Sequence, residues 1–248
     1  MIKVETWNLR KAEELKGGHP YRRPVDAATL LVLDKTRGGP LRVLMGRRHE
    51  AHKFMPSKFV FPGGRVDPAD SRVAAAQDYD EGVLDKLMVE MRGPRTAARA
   101  RAMAIAAIRE TYEEAGILIG EKAGGQAMRN RGWEDFARYR LKPSLSGFRL
   151  LGRAITPPGR IRRFDTRFLG IWADRIAETL PEGIGPSGEL EDVHWVTLDR
   201  AAELELPTIT KIMLTNIHNR LAADPTLSPD YEVPYYFVRH GKFVSTTL

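Results

Sequence analysis

Residues 104 to 116 read Ala-Ile-Ala-Ala-Ile-Arg-Glu-Thr-Tyr-Glu-Glu-Ala-Gly, and their charges are placed against what helix stability alone would select. At about 100° per residue, Ile105, Ile108 and Tyr112 share one helix face while Glu110, Glu113 and Glu114 fall on another, so three carboxylates are expected to converge on one exposed patch. Like charges at such spacings cost about 0.2 to 0.5 kcal/mol per pair, and anions in a last helical turn oppose the macrodipole by roughly a further 0.3 to 1 kcal/mol each. Both penalties vanish where a divalent cation is bound, and carboxylates with retained waters suit Mg²⁺ or Mn²⁺. Arg109 is positioned to orient a carboxylate through a charge-assisted bond. Charge geometry alone fits a solvated acidic helix end, neutralised in part by Arg109 and Arg101, equally well.

Outward from this segment the pattern alternates between strands and helices. Residues 97 to 115 predict the longest helix, with Gly116 where a left-handed C-cap is preferred, and residues 117 to 119 resume as strand. Upstream, residues 27 to 33 and 41 to 45 predict strands joined by a hairpin-type connection. Phe59-Val-Phe61 predicts a short strand running into Pro62-Gly63-Gly64, and residues 71 to 94 predict one helix closed by Gly93-Pro94. Downstream, residues 133 to 141 predict a short helix, 150 to 155, 164 to 172 and 193 to 196 strands, and 198 to 204 and 209 to 222 helices. Residues 235 to 244 predict a closing hairpin. The economical fold is a single α/β domain over 1 to 248, with helices on both faces of a mixed sheet.

Composition narrows the chemistry. The 248 residues contain no cysteine, so disulfides, thiolate metal sites and cysteine nucleophiles are excluded, and any metal must use oxygen or imidazole donors. A net charge of +7 favours anionic partners without naming them. No run of five or six like charges marks a nucleic-acid tail, and no apolar stretch has the length of a bilayer span, so neither nucleic acid nor membrane is an expected partner. The first residues, with Lys3 and Arg10 but no apolar core before a small-residue cleavage site, do not read as a signal peptide, and a cytoplasmic location is expected. A homodimer is an open possibility.

Residues 109 to 117, Arg-Glu-Thr-Tyr-Glu-Glu-Ala-Gly-Ile, resemble the second half of the nudix box, G-x5-E-x7-R-E-U-x-E-E-x-G-U with U apolar, and depart from it at Thr111. Phe61-Pro-Gly-Gly-Arg-Val-Asp67 resembles the strand and glycine turn that open the box, with Gly64 at its first glycine and Asp70 where the family has its first glutamate. Residues 71 to 108 then stand as an insertion where the pattern has x7. Such an insertion is a feature of the coenzyme A and acyl-CoA diphosphatases, which residues 53 to 64 and Arg163-Phe-Asp-Thr-Arg-Phe168 also resemble. The resemblance implies a nudix-type α/β/α sandwich and Mg²⁺- or Mn²⁺-dependent cleavage of a diphosphate.

Carried over residue by residue, the resemblance implies that Glu110, Glu113, Glu114 and the Gly64 carbonyl hold the metal and that Arg109 holds a glutamate in place. It further implies a water-activating base that is either Glu110 or a loop carboxylate, Glu189 or Glu191. Substrate contacts are expected at Gly63 and Gly64 and from Arg48 and Lys53, with His49 and Ser57 standing where that subgroup has small residues. A second basic cluster, Arg160, Arg162 and Arg163, is a candidate for a 3′-phosphate. Coenzyme A or an acyl-CoA is the leading substrate; ADP-ribose, a dinucleotide, or binding of nucleotide or RNA without turnover are the alternatives.

Overall fold

The computed structural model describes residues 18–35, 39–50, 57–123, 128 and 132–248. Its centre is β1 (Val25–Lys35), whose Ala28, Leu30 and Val32 enter one apolar cluster while Leu31 and Leu33 enter another. This is the signature of a strand buried on both faces. β1 runs antiparallel to β2 (Leu41–Arg48) and parallel to β8 (Phe164–Trp172), with Val25 opposite Phe164 and Leu33 opposite Trp172. The remaining large-sheet strands are β7 (Arg149–Ile155), β10 (Leu190–Thr197), β11 (Pro234–Arg239) and β12 (Lys242–Thr247), in the order β10-β2-β1-β8-β7-β11-β12. Two short strands, β3 (Phe59–Val60) and β4 (Gly63–Arg65), attach to β2 and β1. A separate small sheet joins β5 (Ile117–Lys122), β6 (Leu141–Pro143) and β9 (Ile176–Thr179).

Helices cover both faces of the large sheet, as an α/β sandwich requires. On one side lie α1 (Val83–Met88) and α2 (Ala97–Ala115), which bury Leu87, Met103, Ala104 and Ile108. α3 (Glu134–Arg138) adds Phe136 to that cluster. On the other side α4 (Leu198–Glu203) and α5 (Thr208–Ala223) bury Ala201, Met213, Leu214 and Ile217. Among the described residues no helix is long and apolar enough to cross a membrane.

α2 has the predicted bounds. Thr96 accepts the Arg99 N–H at 3.2 Å as its N-cap, and Gly116 ends it at φ 66°. Two other expectations change. Residues 71 to 94 hold a 3₁₀ turn at Asp70–Arg72 and the six-residue α1, not one long helix. Distant partners pin this segment: Arg153 donates to the Val89 and Glu90 carbonyls, and the segment's own Lys86 donates to those of Pro229 and Tyr231. The helix predicted over 133 to 141 stops at Arg138, because Arg140 at φ 53° turns the chain into β6. β9 was absent from the sequence reading, since Ile-Ala-Glu-Thr buries no residue fully and is fixed as a strand only by pairing with β5.

The 163 to 168 stretch is largely interior. Arg153 forks Asp165 with two 2.8 Å bonds, Arg167 reaches Asp26 at 3.3 Å, and Arg99 holds the other Asp26 oxygen at 2.5 Å. These ion pairs tie β1, β7, β8 and α2 together beneath the helical layer.

Candidate active site

β4 places the glycine turn against α2. Ala28 pairs with Gly64 and Thr29 with Gly63, and the last two turns of α2 lie over this edge. The approach is close: a Cβ on Gly64 would sit 2.4 Å from Glu110 Oε1, so only glycine admits the carboxylate here. The Gly63 N–H donates to Glu114 Oε2 at 2.9 Å. Thr111, at the box position that is ordinarily apolar, is fully buried and donates its hydroxyl to the Ala107 carbonyl at 2.7 Å, so its polarity is satisfied within the helix.

Arg109 gathers the surrounding acids. Its Nε and Nη2 bind the two Asp70 oxygens at 3.0 and 3.2 Å, and its Nη1 binds Glu110 at 2.9 Å and Glu113 at 3.1 Å. Nη2 also reaches the Arg65 carbonyl at 3.2 Å. Asp70 is 2% exposed and accepts the Asp67 N–H at 2.7 Å as well. Residues on either side of the 71 to 108 segment therefore meet at one guanidinium.

The expectation of an exposed carboxylate patch is corrected. Glu114 is only 3% exposed and the Glu110 side chain 17%, because β4 covers that face of α2; Glu113, at 30%, is the most open of the three. Burial pushes Glu110 up to about 7 against the pull of Arg109, with Glu113 and Glu189 adding repulsion. Burial and then Glu110 push Glu114 up to about 8, opposed by the Gly63 N–H and Arg48. Burial also raises Glu113, although Arg109 works against it. The three carboxylates face different partners, and among the described residues no three acidic or imidazole groups stand together in ligand geometry. The donor set nevertheless suits a hard divalent cation: it is all oxygen, and burial holds its carboxylates towards neutrality against the pull of Arg109 and Arg48.

The other expected site residues divide. Arg48, at the end of β2, is near enough to Glu114 to lower its proton affinity. Glu191 pairs across β10 and β2 with Arg47 at 3.6 Å and meets His49 at 3.2 Å, whereas the field of Glu189 reaches both Glu110 and Glu114. Arg163 is not brought to the carboxylates. It is 6% exposed, donates to the Thr156 and Arg22 carbonyls at 3.0 and 2.6 Å, and stacks over Tyr21. Lys53 lies outside the described residues. The sequence reading named Glu189 but not the docking of loop 180–189, whose N–H groups meet the end of α2; its Gly-x-Gly-x-x-Gly spacing, Gly183 to Gly188, is the available signal.

A mixed α/β sandwich with a glycine turn set against an acidic helix end defines the nudix class of fold. No family model matches the chain. Acyl-coenzyme A diphosphatase NUDT19 of Xenopus laevis is 33% identical over 96 residues, 31% of this chain and 25% of that protein. A Caenorhabditis elegans protein designated nudix hydrolase 7 is 32% identical over 154 residues, 57% of this chain and 42% of that protein. The chain thus spans less than half the length of these curated relatives. A solved NUDIX hydrolase from Alicyclobacillus acidocaldarius is similar at a TM-score of 0.58 and 25% identity, over 78% of this chain and 90% of that one. In sequence and in fold the chain is similar to these nudix hydrolases.

Proposed function

We propose that the chain is a divalent-metal-dependent hydrolase that cleaves the diphosphate of coenzyme A or an acyl-CoA. The observation that carries the hydrolase reading is the pair of carboxylates, buried Glu114 and half-buried Glu110, set against Gly63 and Gly64 and pushed up to about 8 and about 7. Folding keeps a cost there that a stable helix would otherwise shed, and a bound cation removes it. Glu110, Glu113, Glu114 and the Gly64 carbonyl would hold the Mg²⁺ or Mn²⁺, which supplies charge dispersal on the phosphoryl oxygens and a more acidic water.

The chain's own groups do the rest. Arg109, itself fixed by Asp70, aims Glu110 and Glu113. Glu189 and Glu191 are the loop candidates to take the attacking water's proton on a carboxylate oxygen, Glu191 in contact with Arg47 and His49. Arg48 adds positive charge beside Glu114, where a substrate phosphate would approach.

The coenzyme A part rests on likeness to the Xenopus laevis acyl-coenzyme A diphosphatase and on the motif residues around the glycine turn. Incubating a panel of diphosphates with Mg²⁺ and identifying the products by mass spectrometry tests both parts. Coenzyme A should yield 3′,5′-ADP and 4′-phosphopantetheine. Faster cleavage of ADP-ribose or a dinucleotide would remove the coenzyme A reading, and no cleavage of any diphosphate would remove the hydrolase reading.

A further inference from the structure

We propose that the surface around the β7–β8 loop docks on an anionic lipid bilayer, with Ile161 and Tyr21 entering the interface and the surrounding arginines meeting the headgroups. Two segments build this surface. Residues 156–163, Thr-Pro-Pro-Gly-Arg-Ile-Arg-Arg, connect β7 to β8, and residues 19–25, His-Pro-Tyr-Arg-Arg-Pro-Val, lead into β1 beside them. The His19 N–H donates to the Gly159 carbonyl at 3.1 Å, the Val25 N–H to that of Arg163 at 3.0 Å, and Arg163 Nη1 to that of Arg22 at 2.6 Å. Buried Arg163 also packs 5.0 Å from the centre of the Tyr21 ring, so the aromatic is held from one side while remaining 66% exposed.

Apolar and cationic groups are concentrated here together. Ile161 is 61% exposed and Val25 43%, so three of the five large apolar side chains that face solvent among the described residues lie on these two segments. Single apolar residues at a surface need no explanation, but a cluster rimmed by charge does. Neither segment contains an aspartate or glutamate, whereas Arg22, Arg23, Arg160 and Arg162 are all exposed. The surface is therefore complementary to an anionic partner, in keeping with the net charge of +7.

The apolar part favours lipid over nucleic acid. A nucleic-acid strand held without sequence readout stacks on successive aromatic platforms, and this surface offers one ring, one side of which is given to Arg163. Ile161, between Arg160 and Arg162, has nothing to gain from bases or phosphates. In the boundary between headgroups and acyl chains it loses its contact with water, while arginines reach back to the phosphates and the tyrosine hydroxyl stays hydrated. Pro157 and Pro158 restrict the loop before it docks, which lowers the cost of ordering it. Docking of this kind lies on a bilayer and needs no spanning helix.

The test is sedimentation of the full chain with vesicles of phosphatidylcholine alone and of phosphatidylcholine and phosphatidylserine in equal parts, at rising salt, with polyuridylate as a second ligand. The protein should bind only the vesicles that contain phosphatidylserine, and more weakly as salt rises. Each arginine near an anionic surface adds about fivefold, so Arg22→Gln with Arg23→Gln should weaken binding about 25-fold. Ile161→Ser should weaken it about tenfold with no change of charge, which separates insertion from attraction, and it serves if the double variant fails to fold. Arg138→Gln with Arg200→Gln, which removes the same charge from other exposed arginines, should bind as the wild type does. No binding to either vesicle, equal losses in the two double variants, or unchanged binding by Ile161→Ser would overturn the proposal. Tighter binding of polyuridylate than of the anionic vesicles would also overturn it and assign the surface to nucleic acid. None of these readouts depends on hydrolysis.

Discussion

At Glu114 a single side chain carries a cost that the fold does not offset. Its carboxylate is buried beside Glu110, and one N–H from Gly63 does not offset the loss of water. Glu114→Gln keeps the shape and removes the charge. We expect turnover to fall by about 10²- to 10³-fold, as when one electrostatic group is deleted from an active site. The metal-free protein should melt higher, by roughly 2 to 4 °C for each kcal/mol gained. Equal turnover of the variant and wild type at saturating Mg²⁺ would reject its assignment to the metal.

The same residues set a pH dependence. Glu110 and Glu114 have folded values of about 7 and about 8, above the ordinary 4.5. Groups raised on folding stabilise most when protonated, so their contribution is fully present below about 4.5 and is lost as pH rises through 7 to 8. The metal-free melting temperature should therefore fall between pH 5 and 8.5, and saturating Mg²⁺ should flatten the fall by favouring the ionised form. Thermal melts at both conditions check this; parallel curves would mean that the cation does not meet these carboxylates.

At the scale of elements, α2 was legible because its cap, its apolar period and its terminal glycine agree over 19 residues. The glycine turn and acidic residues were legible as motif fragments for the same local reason. The segment between them was not. Alanine-rich charged sequence satisfies helix propensity, but the chain over 71 to 94 is held mainly by distant partners such as Arg153 and by Pro229 and Tyr231 backbone, which no local window contains. Exposure of the carboxylates was misread likewise, since a helical wheel shows which residues share a face and not that β4 covers it. Asp70 joins the two halves. Asp70→Ala should cost about 1.5 to 3 kcal/mol, because it removes the two bonds from Asp70 to the Arg109 guanidinium and leaves those to Glu110 and Glu113. Urea unfolding measures this, and a loss under 1 kcal/mol would show that the junction does not need the pair.

For the molecule as a whole, the sequence offered several basic clusters and a net charge of +7, and the structure distinguishes how those arginines are used. Arg153, Arg163 and Arg167 are buried and spent on carboxylates and backbone carbonyls within the fold. Arg48 lies by the acidic cluster, and Arg160 and Arg162 remain at the surface. A 3′-phosphate contact from Arg48 would be worth about 1.5 to 3 kcal/mol, or about 10- to 150-fold in kcat/KM. Coenzyme A should then have a lower KM than 3′-dephospho-coenzyme A with kcat little changed, because a remote contact made equally in ground and transition states alters binding alone. Arg48→Gln should erase that preference. Arg163→Gln should leave the preference intact and lower the melting temperature, since its guanidinium is committed to Thr156 and Arg22. Steady-state kinetics on the two compounds decide the matter: equal KM values in the wild type, or a preference that Arg163→Gln removes and Arg48→Gln does not, would move phosphate recognition away from the glycine turn.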